Sequence, residues 1–186
     1  MEEKLMAITL EELAKEVQKL KDIEEIKVLK ARYSDMCDSN HDWTQIKDLF
    51  APDAKWIGDP TQPWGGGNNR EEIEKLFQFY QTQMDGVPGV GVLGHNPMAP
   101  QITVADDGVH ATGKWHMFGA FRMFEGRAET GSKSFLEQGK YEDEYVKIDE
   151  NCNLDPNGKW FISQLSFWDT LCASPQDGWD DKVIQW

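Results

Sequence analysis

Cysteine is scarce in this chain, and the spacing of its three cysteines argues against a disulfide framework and a zinc site. Cys37, Cys152 and Cys172 are odd in number, and none of them lies in a Cys-x-x-Cys pair. The sequence also offers no cluster of other metal ligands, so no metal site is predicted. Unpaired cysteines are typical of a reducing compartment, and we expect a cytoplasmic protein.

Positive charge is also in deficit. The 19 lysine and arginine residues stand against 33 aspartate and glutamate residues, which gives a formal net charge of -14. No basic stripe interrupts the acidic surface, so nucleic acid is not an expected partner. Acidic substrates and anionic membranes are disfavoured for the same reason. The simplest interpretation of the negative net charge is that it keeps the protein soluble.

Long hydrophobic runs are missing as well. No stretch approaches the length that a membrane-spanning helix needs. The start of the chain, MEEKLMAITLEELAKEV, is acidic and amphipathic and lacks the basic and apolar regions of a secretory signal. The sequence therefore predicts neither membrane insertion nor export.

Aromatic residues, in contrast, are plentiful. Eight tryptophans and nine phenylalanines are more aromatic surface than a core of this size needs, so some should line a cavity for a flat, neutral, hydrophobic ligand. Core packing is the commoner fate of any one aromatic residue. The predicted cavity-lining residues are Trp56, Trp64, Phe121, Tyr141, Phe167 and Trp168.

Helical signals dominate the first half of the chain. A Thr-x-x-Glu capping box at Thr9 is followed by apolar residues at three- and four-residue steps, which predicts one long helix to about Asp38. Asp42 is the predicted N-cap of a short second helix that ends at Pro52. A third helix is predicted over 70 to about 84.

Strand signals dominate the second half. A short strand is predicted over 54–57, and from Gln101 the hydrophobic period changes to two. Three long antiparallel strands are predicted over 109–124, 139–148 and 159–170. Helices followed by strands indicate an α+β domain in which the helices pack on one face of a curved sheet.

The length of the chain fits one domain, which we place at 9–171. The tail 172–186 has little regular pattern. The Gly-rich segment 58–69 lacks the spacing of a phosphate-binding loop, and we interpret it as a flexible mouth or lid that carries Trp64.

Three polar residues in apolar surroundings are the main candidates for chemistry. Tyr33 and Asp38 lie near the end of the first helix, and His95 lies just before a strand. A carboxylate can orient an imidazole and tune its proton affinity, which indicates proton abstraction. Five residues along a helix correspond to roughly 140° of rotation, so Tyr33 and Asp38 share a site only if the helix ends near Asp38.

Further polar candidates lie on the predicted strands. Lys114 and His116 have the same parity, and they reach the pocket if the even-numbered face of their strand is concave. Asp169 on the last strand could be a second acid or base. His41 and His110 lie beside turns and are expected to be exposed to solvent.

Several segments together resemble the SnoaL-like branch of the nuclear transport factor two-like superfamily. They are the helix IEEIKVLKARY, the pattern W-x-x-x-x-x-L-F-x-P-D-A from Trp43 to Ala54, G-x-Y-x-D-x-Y-V-K-I-D from Gly139 to Asp149, and G-K-W-F-I from Gly158 to Ile162. The resemblance covers about residues 15 to 170. It implies a cone-shaped α+β barrel whose mouth carries the site.

Within this branch the chain is most similar to the bile acid 7α-dehydratases, and more distantly to scytalone dehydratase and hexachlorocyclohexane dehydrochlorinase. Those enzymes work without a metal or organic cofactor. The resemblance puts their catalytic Tyr, Asp and His at Tyr33, Asp38 and His95. Two departures predict a different substrate: a catalytic Arg of the bile acid enzymes falls at Asp169, and the stretch between Asp38 and His95 is longer here.

The resemblance implies a cofactor-independent lyase that eliminates water, or a small fragment such as formaldehyde, from a hydrophobic cyclic or aromatic substrate. A double-bond isomerase would use the same Asp-His pair. A non-catalytic binding or assembly module is the alternative from another class. Small SnoaL-like dehydratases are commonly trimers, so a homotrimer is expected.

Overall fold

The computed structural model describes residues 8–61, 64–84, 94–124 and 132–173. The first helix, α1, spans Leu10–Asp38 and begins at the predicted capping box. The backbone N–H of Glu12 donates to Thr9 Oγ1 at 3.1 Å, and the backbone N–H of Thr9 donates to Glu12 Oε2 at 2.8 Å. Both predicted ends of this helix are confirmed.

The chain reverses direction directly after α1. Asn40 and His41 both have left-handed backbone conformations, with φ of 59° and 52°. Asp42 then accepts from the backbone N–H of Thr44 at 3.3 Å and caps a 3₁₀ helix, Trp43–Gln45, which continues into α2, Ile46–Leu49.

The predicted end of this second helix is wrong. Strand β1 spans Phe50–Ile57, so Pro52 lies inside a strand and does not terminate a helix. Phe50 is fully buried and pairs with Ile162 of the last strand, and this tertiary burial outweighs the local helical signal. The strand register shifts between Phe50 and Lys55, an irregularity that tolerates the missing N–H of Pro52.

The Gly-rich segment forms part of the sheet and not only a loop. Its described part contains a two-residue strand, β2, Gly66–Gly67, which pairs with β1. Helix α3 follows at Arg70–Met84, and Asn69 Oδ1 accepts from the backbone N–H of Glu72 at 2.9 Å as the predicted cap.

Six strands form one curved sheet in the order β2-β1-β6-β5-β4-β3. The β1 and β6 pair is parallel and the other neighbours are antiparallel. The three long predicted strands are confirmed, although two of them extend further than predicted. The later strands are β3 Asn96–Val104, β4 His110–Phe124, β5 Ser132–Ile148 and β6 Lys159–Ala173. The predicted tail from 174 onward lies outside the described residues.

Two buried lysine-carboxylate pairs fix α1 on the concave face of the sheet. Lys30 Nζ lies 2.8 Å from Asp143 Oδ2, and both side chains are fully buried. Lys147 Nζ lies 2.7 Å from Asp22 Oδ1, which also accepts from an indole N–H on β6. Because these pairs set the position of α1, they also set where its last turns meet the sheet.

The described helices include none that combines the length and apolarity needed to cross a membrane.

Candidate active site

An aromatic cavity of about 60 Å³ lies between α1, α3 and the concave face of the sheet. Most of its wall is apolar, and the polar groups converge from α1, from the turn after it and from the strands. The lining residues are Tyr33, Cys37, His41, Trp56, Trp64, Phe77, Tyr80, His95, Met117, Phe121, Glu137, Tyr141 and Phe167.

The structure brings Asp38 and His95 together at this cavity. His95 Nδ1 lies 2.7 Å from Asp38 Oδ1, and the backbone N–H of His95 donates to the same oxygen at 3.0 Å. When the carboxylate is ionised and the imidazole is neutral, the carboxylate only accepts, so Nδ1 carries the hydrogen and Nε2 keeps a lone pair. The arrangement leaves Nε2 able to accept a proton.

Local structure explains how this pair forms. Asp38 is the last residue of α1, and His95 directly precedes β3, which packs against α1. The ring of Phe121 of β4 also contacts the imidazole in an edge-to-face arrangement, with ring centroids 4.9 Å apart. The side chain of His95 is 14% exposed and that of Asp38 is 33% exposed, so the pair sits at the rim of the cavity rather than in its interior.

Tyr33 lies deeper in the same cavity and is 2% exposed. Its phenolic oxygen accepts a hydrogen bond from Trp56 Nε1 at 3.1 Å. Burial raises the pKa of Tyr33 well above its usual value, so the phenol stays neutral and keeps its hydrogen. The end of α1 at Asp38 lets both Tyr33 and the Asp38-His95 pair face one cavity.

Five of the six aromatic residues predicted to line a cavity lie in this wall: Trp56, Trp64, Phe121, Tyr141 and Phe167. The exception is Trp168, which is half-buried and lies outside the lining. Successive strand residues point to opposite faces, so Phe167 and Trp168 cannot both face inward.

The even-numbered face of β4 is not the concave one, so the condition under which Lys114 and His116 would reach the pocket is not met. Odd-numbered residues such as Trp115 and Met117 are buried, whereas Lys114 and His116 are exposed. Lys114 pairs with Glu142 of β5 on the outer face, at 2.8 Å. The face with larger apolar side chains turns inward because it buries more apolar area, which places Lys114 and His116 away from the cavity.

His41 is buried, which contradicts the expectation that it is exposed. It is 7% exposed and packs against Phe77 and Tyr80 of α3, with ring centroids 5.6 and 5.3 Å apart. Burial, assisted by the neighbouring His95, lowers the pKa of His41 to about 3. His110, in contrast, is exposed as predicted, with Nδ1 2.8 Å from Asp107 Oδ2.

Cys37, His41 and His95 form the one group of potential metal ligands in the described part of the chain. Their donor atoms lie within 4.8 Å of one another. Donor atoms around one tetrahedral zinc ion lie roughly 3.3–3.8 Å apart, given the usual bond lengths. Burial raises the pKa of the Cys37 thiol to about 12, which disfavours the thiolate that binds zinc. The group is therefore not a formed metal centre.

Two buried carboxyl groups lie at the cavity, and Glu137 is the one that belongs to its lining. Asp169 is fully buried, and its Oδ2 accepts from Trp64 Nε1 at 2.7 Å. Glu137 of β5 is 4% exposed, lines the cavity and lies near enough to Asp169 for the two carboxyl groups to interact. Burial is the main cause that raises the pKa of both carboxyl groups, and for Glu137 the neighbouring Asp169 raises it further.

The sequence prediction included Asp169 but missed Glu137. The predicted strand began at Gly139, so Glu137 fell outside it. A longer strand would have given Glu137 the same parity as Tyr141, which the prediction already placed in the cavity wall. The Gly-rich segment contributes Trp64, which is held by Asp169 and by a hydrogen bond from the Tyr80 hydroxyl to its carbonyl oxygen.

Similarity to solved structures supports the same fold. A scytalone dehydratase-like protein from Novosphingobium aromaticivorans is 18% identical, with 84% of this chain and 89% of that chain covered and a TM-score of 0.64. The type 3 hexachlorocyclohexane dehydrochlorinase from Novosphingobium barchaimii is 14% identical, with 86% and 93% covered and a TM-score of 0.64. A protein of unknown function from Mycobacterium tuberculosis is 17% identical, with 82% and 73% covered and a TM-score of 0.56.

The structural similarity establishes the architecture, an α+β cone, but at these low sequence identities it does not establish the reaction. The model of the SnoaL-like domain matches residues 18–166, which include the whole Asp38-His95 pair and most of the cavity wall. The chain therefore belongs to the SnoaL-like domain family.

Proposed function

We propose that this protein is a cofactor-independent lyase that acts on a hydrophobic cyclic or aromatic substrate. The observation that carries the proposal is the 2.7 Å contact between His95 Nδ1 and Asp38 Oδ1 at an aromatic cavity. The reaction is the loss of water, or of a small carbonyl fragment such as formaldehyde.

In this proposal His95 is the base. Asp38 holds the imidazole through both the ring and the backbone N–H of His95, so Nε2 is available to take a substrate proton. The carboxylate then stabilises the imidazolium that forms, as an opposite charge at short range does. Tyr33 keeps its phenolic hydrogen, because Trp56 uses only a lone pair of its oxygen, and it can stabilise negative charge that develops on the substrate.

Both eliminations follow from one proton abstraction. In dehydration His95 removes a C–H proton, the electron pair forms a C=C bond, and the C–O bond breaks. In formaldehyde loss His95 removes the O–H proton of a CH₂OH group, the C=O bond of formaldehyde forms and the C–C bond breaks, and the electron pair of that bond forms a C=C bond as a hydroxyl group on the next carbon leaves. In either case the remaining electrons end on a leaving group or in a conjugated product.

The comparisons favour elimination over other reactions of the fold. Two of the similar structures are named for a dehydratase and a dehydrochlorinase, and both names describe the loss of a small group. An isomerase that moves a double bond would use the same pair, with the proton returned to another carbon. A homotrimer in the cytoplasm remains our expectation from the family resemblance, and sedimentation velocity of the purified chain tests the oligomeric state.

A non-catalytic binding module is the second candidate. The observation that favours it is the small volume of the cavity, about 60 Å³, which is far below the roughly 300–1,000 Å³ of a drug-sized ligand pocket. For this module, whose cone is largely filled by side chains, wild type and a His95 variant would both leave every screened compound unchanged.

A substrate screen tests the proposal. Hydroxylated steroids and lignin-derived phenolics are incubated with the purified protein without any added cofactor, and product formation is followed by absorbance. We expect His95→Ala to reduce turnover by about 10²- to 10⁴-fold.

His110→Ala is the matched control, because it removes an exposed His-Asp pair of nearly the same length, 2.8 Å. It should retain wild-type turnover. Full turnover by His95→Ala would exclude His95 as the base.

A further inference from the structure

The carboxyl pair formed by Glu137 and Asp169 has no role in the mechanism above. Glu137 Oε1 and Asp169 Oδ1 are both buried, and neither finds a hydrogen-bond donor among the described residues. Two carboxylate oxygens only accept, so they can satisfy each other only when a proton lies between them. Buried carboxylates without such a proton would repel strongly in a medium of low dielectric constant.

The surroundings decide which carboxyl group holds the proton. Asp169 Oδ2 accepts from Trp64 Nε1 at 2.7 Å, a bond that favours its ionised form. Glu137 Oε1 receives no such donor in the part of the chain that the structure describes, and Glu137 is the member that lines the cavity. The proton therefore belongs mainly to Glu137, on the side that a bound ligand contacts.

We propose that Glu137 and Asp169 share one proton in the cavity wall, and that Glu137 donates it to the oxygen that leaves the substrate. This inference rests on the proposed lyase function and adds the acid that the base at His95 requires. Asp169 acts as a positioning residue, since it is not in the cavity lining and works through Glu137.

The complete step balances. The substrate proton moves from carbon to His95 Nε2, the C–H electron pair becomes the C=C bond, and the C–O bond breaks. The departing oxygen takes the proton of Glu137 and leaves as water. His95 then releases its proton to solvent and the carboxyl pair takes one up, which restores both groups without an oxidant or reductant.

The acid role of Glu137 also indicates a class of substrate. An acid is needed when the leaving group is a hydroxyl, which departs poorly as hydroxide, and is not needed when the leaving group is chloride. The site is therefore built for a substrate that bears a hydroxyl group next to an acidic C–H or O–H, and not primarily for a halogenated compound.

The first test is independent of turnover. In the infrared spectrum of the full chain at neutral pH, we expect the carbonyl stretch of a protonated carboxylic acid, and we expect Glu137→Gln to remove it. Glu144→Gln is the matched control, because Glu144 lies on the same strand and is exposed. A wild-type spectrum without that band would overturn the proposal.

The second test compares two probes that differ only in the leaving group, 3-hydroxypropiophenone and 3-chloropropiophenone. Both yield phenyl vinyl ketone, which is followed by absorbance. Glu137→Gln should slow loss of water by about 10²- to 10⁴-fold and leave loss of chloride nearly unchanged. Equal losses with both probes would overturn the acid role, whereas full turnover of both by His95→Ala would overturn the lyase proposal instead.

Asp169→Asn serves as the second variant and tests the positioning role. Without the negative charge of Asp169 beside it, Glu137 ionises more readily, so the fall in the rate of water loss at alkaline pH should shift to lower pH. An unchanged pH profile in a folded Asp169→Asn protein would contradict the shared proton. The other titratable groups around the pair keep their side chains in this variant; they are Asp59, Tyr141, Tyr33, Cys37, His41 and His95.

Discussion

Two acid-base pairs each have one member on α1, and they differ in how far they are buried. Lys30 and Asp143 are fully buried, 2.8 Å apart, in the closed interior between α1 and β5. Asp38 and His95 lie at the rim of the cavity, 2.7 Å apart, and remain partly exposed. The first pair is enclosed by protein on every side, whereas the second leaves one ring nitrogen unused.

We interpret the buried pair as important for stability and the pair at the rim as important for chemistry. Burial lowers the pKa of Lys30 and raises that of Asp143, and their mutual attraction opposes both shifts, assisted at Asp143 by the hydroxyl of Tyr145. The Asp38-His95 pair is less buried than the Lys30-Asp143 pair, and solvent still reaches it. We therefore expect Lys30 variants to lose stability, and Asp38 or His95 variants to lose turnover.

The largest expected effect is on stability. Lys30→Met leaves Asp143 buried without its cation, and should lower the free energy of unfolding by about 3–5 kcal/mol. Urea unfolding followed by tryptophan fluorescence measures it. Lys114→Met, which breaks the exposed pair with Glu142, should cost no more than about 1 kcal/mol. Similar losses in the two variants would remove the distinction between buried and exposed pairs.

Asp38→Asn should show the opposite pattern. An amide cannot stabilise the imidazolium of His95, so kcat/KM should fall by about 10²-fold or more. The unfolding free energy should change by no more than about 1–2 kcal/mol, the scale of a partly exposed hydrogen bond. Asp107→Asn, which alters the exposed pair with His110, is the control for kcat/KM. A loss of stability without loss of turnover would contradict the comparison.

The pH dependence of stability tests the environment of His41. Its pKa in the folded state is about 3, below that of an unfolded histidine, so the unfolded chain binds more protons between these values. Stability from this group is present above the unfolded pKa and is lost as the pH falls. Between pH 7 and pH 5 the loss should be about 2 kcal/mol.

His41→Phe isolates that contribution, because other groups titrate equally in both proteins. The difference in unfolding free energy between wild type and variant, measured by urea at pH 7 and pH 5, should therefore change by this amount. A difference that stays constant with pH would show that His41 binds protons equally in the folded and unfolded chains, so that its pKa is not lowered by folding.

The smallest expected effect concerns Tyr33. Trp56→Phe removes the donor to its buried phenolic oxygen and should destabilise the protein by about 1 kcal/mol. Because the phenol hydrogen is retained, kcat should change less than in Asp38→Asn. Urea unfolding and steady-state kinetics on the same preparation check both statements.

Much of the fold could be predicted from local signals. The capping box at Thr9 and the cap at Asn69 fixed the starts of α1 and α3, since these side chains act within a few residues. The long strands followed from the change of hydrophobic period. The Asp38-His95 contact followed from the family resemblance, since nothing local connects residues so far apart in sequence.

The errors arise where tertiary packing decides. The helix end before Phe50 depends on a parallel pairing with β6 that the sequence does not show. His41 is buried because the chain reverses in a left-handed turn and brings it beneath α3. The inward face of β4 depends on what covers it, so parity alone could not place His116. Glu137 was missed because strand ends are set by neighbouring strands.

Chemical rescue of His95→Ala tests the central claim most directly. The variant removes only the imidazole from the cavity rim, and free imidazole can enter the space that it leaves. The account predicts that His95→Ala turns over the screened substrate at least about 10²-fold more slowly than wild type, and that added imidazole restores part of the rate in proportion to its concentration. Full turnover by His95→Ala without imidazole would contradict it.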